Sequence, residues 1–111
     1  MDPTEHLKHY QKLETIGLKL LAASIYFGGI TGFQKAVREL VDNKRYRQEE
    51  IALLFLPDPK KYLFGQRWKF ILDLLAEMKE PRERFFERCI SAGVLRSEDL
   101  KDLQRFFEAA T

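Results

Sequence analysis

The chain has 111 residues, 45% of them hydrophobic, 13% aromatic and 32% charged. That mixture can build a core and solvate a surface, which excludes a disordered chain, and the length allows one domain. A net charge of +2 is too slight by itself to announce a nucleic-acid binder; the single Cys89 excludes an internal disulfide and a four-cysteine zinc site.

Helical periodicity dominates, and no segment sustains the alternation of a strand. The first helix is expected from about Pro3 or Thr4 to Phe27, with Leu7, Tyr10, Leu13, Ile16, Leu20, Ala23 and Phe27 recurring at three- and four-residue steps before Gly28-Gly29. From Thr15 to Phe33 the only charge is Lys19, but Gly28, Gly29 and Gly32 interrupt the stretch, which predicts a buried central helix rather than a membrane span. Thr31-Gly32-Phe33-Gln34 has the form of a capping box opening a second helix, whose inward face is Phe33, Ala36, Val37, Leu40 and Val41 and which ends near Asn43.

A third helix is expected over about Gln48 to Leu56, ended by Pro57-Asp58-Pro59, where Asp58 can cap the next. The fourth reaches Lys79 with Phe64, Trp68, Ile71, Leu72, Leu75 and Met78 as its stripe; Gly65 weakens its start. After Glu80-Pro81 the fifth runs to about Ala92 with Phe85, Phe86, Cys89 and Ile90 inward and Gly93 as its stop, and Ser97 caps a last helix carrying Leu100, Leu103, Phe106 and Phe107. The expectation is an all-α, single-domain bundle of five to six helices with short connections. Met1 to Glu5 has no basic run before an apolar one, so no secretory signal and a cytoplasmic location are expected.

Catalytic and metal constellations are sparse. His6 and His9 stand three apart with Glu5 beside them, but no further histidine or Cys-x-x-Cys completes a metal set, and Cys89 on an apolar face reads as an inert thiol. Gly28-Gly29-Ile30-Thr31-Gly32 lacks the spacing and lysine of a phosphate loop. Glu80 with Arg84, Arg84 with Glu87, Lys69 with Asp73 and Lys35 with Glu39 read as solvated pairs along helix faces. No cofactor or metal is expected, and an enzyme would require carboxylates converging from distant helices.

Charge is unevenly placed. Residues 33–70 hold nine Lys and Arg against five Asp and Glu, whereas residues 71–111 hold seven against nine. The basic residues fall beside aromatics in Lys44-Arg45-Tyr46-Arg47, Lys60-Lys61-Tyr62 and Arg67-Trp68-Lys69. Cations neutralise phosphates, and exposed aromatic faces stack on unpaired bases. Trp68 sits mid-stripe and reads as core, and Arg67 and Lys69 project to opposite flanks of it. The candidate nucleic-acid-binding residues are therefore Lys44, Arg45, Tyr46, Arg47, Lys60, Lys61 and Tyr62. Two helix-turn-helix readings fit poorly. Gln48 to Phe55 is followed by Leu56-Pro57-Asp58-Pro59 instead of a short glycine turn, and Cys89 to Phe107 ends in an acidic would-be recognition helix.

Ile30 to Val41, Leu56-Pro57 with Tyr62 and Arg67, and Phe106-Phe107-Glu108-Ala109 resemble, in a scattered way and without a diagnostic motif, the small helical subunit of type III CRISPR complexes. The resemblance implies a helical bundle that coats guide and target RNA through basic residues; the aromatic and basic tail usual in that family is missing here. The leading functional expectation is a non-enzymatic helical subunit binding RNA or single-stranded DNA, within a larger ribonucleoprotein assembly. The alternative is a protein-interaction module or homodimeric adaptor, built on the abundant phenylalanines and the acidic last helix.

Overall fold

Six helices form among residues 3–57 and 65–102, the residues that the computed structural model describes, with side chains from residue 11 onward. They are α1 (Pro3–Gly28), α2 (Ile30–Asp42), α3 (Gln48–Leu54), α4 (Gln66–Glu77), α5 (Arg82–Ser91) and α6 (residues 97–102). No strand occurs among the described residues, and the protein is an all-α helical bundle. The helices share one core, centred on α4, which packs against both α1 and α2. No single described helix is long and apolar enough to cross a membrane, and Leu13, Leu20 and Leu21 of α1 are buried in that core.

Amphipathic periodicity explains most of this packing. Ala36 and Leu40 of α2, Ile51 and Leu54 of α3, and Phe85, Phe86 and Cys89 of α5 are all buried, as their three- and four-residue spacing requires. Helix α4 departs from a single stripe. Arg67, Trp68, Phe70, Ile71, Leu74 and Leu75 are all buried, because neighbours cover it on several sides, while the expected stripe member Leu72 is only half-buried. The segment from 58 to 64, with Asp58 as expected cap and Phe64 as expected core, lies outside the described residues, as do Leu103, Phe106 and Phe107.

Arg67 is 1% exposed, and it organises the centre of the bundle. Its Nε donates to the carbonyl of Leu54 at 2.8 Å, one Nη to that of Leu56, and the other Nη to that of Glu14 at 2.5 Å. The Leu54 and Leu56 carbonyls lie at the C-terminal end of α3, where helix geometry leaves acceptors without backbone partners. The guanidinium thus caps α3 from within the core. The Glu14 carboxylate, 3.8 Å from the guanidinium, accepts from the Gly65 amide at 3.0 Å, at the start of α4. One buried pair therefore holds α1, the end of α3 and the beginning of α4. Beside it the Trp68 indole donates to the Leu13 carbonyl at 2.9 Å. Gly17 makes room for both side chains: a Cβ there would lie 3.1 Å from Arg67 Cδ and 3.2 Å from Trp68 Nε1.

Three helices end in the same motif. The second amide past the cap donates to the carbonyl five residues back, and the first donates three residues back, around a residue in the left-handed conformation. In α5 that residue is Gly93 (φ 77°). In α2 and α4 it is a lysine, Lys44 (φ 60°) and Lys79 (φ 56°). Two starts also match. The N-cap amides of Arg47 and Arg96 donate to Glu50 Oε1 at 3.0 Å and Asp99 Oδ2 at 3.3 Å, each the third residue of its helix. These starts correct two expectations. Ser97 is the first residue of α6 rather than its cap, and Thr31 lies inside α2, which opens after Gly29 without a side-chain cap.

Replacing Arg67 by Met preserves most of the volume but removes the donor to three carbonyls and the cation beside the buried Glu14 carboxylate. The expected loss is about 3–5 kcal/mol in urea unfolding. Lys44→Gly and Lys79→Gly each relieve a left-handed β-carbon and should each raise stability by about 0.5–1 kcal/mol in the same measurement.

Candidate nucleic-acid interface

The connection between α2 and α3 carries four of the seven candidate residues: Lys44, Arg45, Tyr46 and Arg47. Its path is set by the α2 terminus. With Lys44 in the left-handed conformation the chain turns back, and the amides of Arg45 and Tyr46 both donate to the Leu40 carbonyl, at 3.1 and 3.3 Å. Lys44, Arg45 and Arg47 are exposed.

Tyr46 is not. It is 3% exposed, its ring meets Phe70 edge-on with centroids 5.2 Å apart, and its hydroxyl donates to Asp73 Oδ2 at 2.6 Å. This corrects the reading of Tyr46 as a base-stacking platform: an aromatic face in contact with the core is closed to a base. The position in a connection suggests exposure, but the half-buried Asp73 carboxylate on α4 supplies the polar partner that a buried phenol needs. Asp73 also accepts from Arg45 Nη2 at 2.8 Å, so Arg45 spends part of its charge internally while its side chain stays 46% exposed. Asp73 is the residue that sequence reasoning missed. Local spacing pairs it with Lys69 one turn earlier on the same helix, and its two long-range partners have no signature there.

The other clusters divide. Lys60, Lys61 and Tyr62 lie outside the described residues. Arg67 and Trp68 are core, as expected for Trp68, and Lys69 is exposed on α4 one turn before Asp73. The expected Glu80–Arg84 pair gives way to Glu80 Oε1 with Arg88 Nη1 at 3.3 Å, and Arg88 also lies 4.5 Å over the Phe27 ring. Lys12 and Arg96 flank Asp99 at 3.2 and 3.5 Å. Burial opposes ionisation of Asp99, but Lys12 and the Arg96 amide outweigh it and hold the carboxyl below its ordinary range.

No group of three or more His, Cys, Asp or Glu that could hold a metal occurs among the described residues. Cys89 is fully buried, and desolvation pushes its thiol up to about 11, which keeps it protonated and inert at neutral pH. No family model matches the chain, and searches of curated proteins and of solved structures return no match either, so the likeness to the small CRISPR subunit rests on its scattered residues alone.

Burial, then the hydrogen bond to Asp73, raises the Tyr46 phenol above its ordinary value. An unfolded tyrosine releases its proton at about pH 10, while the native one keeps it. The associated stability is complete below that pH and declines above it, because the unfolded state then binds fewer protons. Tyr46→Phe should cost about 1.5–3 kcal/mol at pH 7, the value of a hydrogen bond to a charged group. It should also flatten the alkaline decline relative to the parent, both read by urea unfolding from pH 7 to 11.

Proposed function

We propose that the protein is a non-enzymatic, cytoplasmic helical subunit that binds RNA or single-stranded DNA along the α2–α3 edge, chiefly through phosphates. The observation that carries this reading is the outward set Lys44, Arg45 and Arg47 on a connection pinned from beneath by Tyr46 and Asp73. A pinned cationic loop binds a polyanion without first having to order itself, so less affinity is lost to entropy. Lys44 adds to the argument. Glycine would suit its backbone better, yet the position carries a charged side chain, and strained residues of this kind gather at functional sites. The burial of Tyr46 shifts the reading from base stacking toward phosphate contact, with Lys60, Lys61 and Tyr62 as the proposed extension.

A second reading, an adaptor that binds protein, is favoured by one feature. Tyr26 is 84% and Ile30 58% exposed at the α1–α2 corner, beside a shallow groove that includes Ala22, Ala23 and Val94. Exposed apolar clusters of this kind mark contact surfaces.

Fluorescence anisotropy with a short single-stranded oligonucleotide separates the two. Binding should be measurable at low salt and weaken steeply as salt rises, and Lys44→Glu with Arg47→Glu should reduce the logarithmic salt slope by about 0.7 per lost phosphate contact. Arg45 is left alone because its change would also disturb Asp73. No binding at low salt, or binding indifferent to the double substitution, rejects the proposal. A dimer by light scattering in that event would favour the adaptor.

A further inference from the structure

We propose that the cleft between the α1–α2 corner and the end of α4 binds a small zwitterion with an apolar side chain, a molecule of the α-amino-acid class. The cleft measures about 590 Å³, within the range of small-molecule sites. Its apolar lining is the half-buried Phe27 and Met78 together with Leu75 and Phe85, which are themselves buried.

One wall is lined by residues with little or no side chain, Ser24 and Gly28 from α1, Gly32 and Ala36 from α2; a Cβ at Gly28 would collide with the Met78 methyl, so Gly28 makes room for that side chain. Gly32 is the informative one. It lies in the first turn of α2, and a Cβ there would meet only the Met78 methyl, at 3.9 Å. Neither helix geometry nor a close neighbour requires glycine at this position, and the space beside it is open.

The rim sets the polar end of the ligand. Lys35 and Glu39 stand on the α2 side, Glu77 and Lys79 on the α4 side. Glu80 is already engaged by Arg88, whereas none of the other four is in an ion pair among the described residues. A rim with two free cations and two free anions complements a ligand carrying both signs. A ligand with one sign would meet like charge as well as unlike. Lys79 holds its place in the left-handed conformation, directing charge to the mouth of the cleft where glycine would be the relaxed choice.

The test uses the methionines. The chain has two, Met1 and Met78, and Met78 lines the cleft, so methyl-labelled methionine gives a local reporter. The full chain is titrated with L-phenylalanine, phenylacetate and 2-phenylethylamine. L-Phenylalanine should shift the Met78 methyl saturably and bind at least about fivefold more tightly than either singly charged analogue. Gly32→Leu, which fills the space, should abolish the response without lowering the melting temperature. Lys79→Gly, which keeps the backbone relaxed, should reduce the affinity for L-phenylalanine toward that for 2-phenylethylamine. An unmoved Met78 methyl overturns the proposal, as does a response that survives in folded Gly32→Leu. Equal or tighter binding of either analogue overturns the assignment to a zwitterion. None of these outcomes depends on whether the α2–α3 edge binds nucleic acid.

Discussion

The bundle depends on a charge placed where charge is most expensive. A guanidinium in the core has lost its water, and the loss is offset only if its donors find acceptors in the right plane. Arg67 finds them in three backbone carbonyls and the Glu14 carboxylate. The carbonyls come from two different helices, so the interaction fixes how α1, α3 and α4 meet, where hydrophobic packing alone would tolerate sliding. Gly17 belongs to the same arrangement, since a methyl group there would press on both Arg67 and Trp68. A lysine could not substitute for Arg67: one ammonium cannot present a planar fork to carbonyls on opposite sides.

Much of the fold was legible in the sequence because it rests on periodicity. The faces of α2, α3 and α5, the break at Gly28-Gly29 and the stop at Gly93 follow from apolar spacing and from glycine where a chain must turn. Arg67 was not legible, because a charged residue beside a core tryptophan follows the ordinary pattern of a helix flank. Only the meeting of three distant segments reveals it as interior. Tyr46 was misread for a related reason. Its neighbours Lys44, Arg45 and Arg47 are polar and its place is a connection, so local sequence argues for exposure; Asp73, 27 residues away, reverses the argument. The pairing of Glu80 with Arg88, two turns of chain removed rather than one, shows the same limit. Local spacing cannot rank partners that the tertiary fold brings equally near.

The two left-handed lysines connect the fold to its surfaces. Each completes a helix terminus whose geometry favours glycine, and each places an ammonium near the negative end of its helix, where the dipole welcomes it. Lys44 thereby begins the cationic edge, and Lys79 stands at the rim of the cleft. Helix termination and surface charge are thus set by the same residues at both places.

The shortness of α3 has a consequence for how the protein moves. Seven residues are too few to persist as a helix in water. Arg67 closes one end from the interior, and the Glu50 carboxylate closes the other at the Arg47 amide. Its survival is therefore tied to the docking of α4. The α2–α3 connection is fastened to α4 as well, through Asp73, so this part of the surface has little freedom to fray on its own. It opens and closes with the interior as one cooperative unit, and amide exchange there should approach the rate set by global unfolding rather than that of a loose loop.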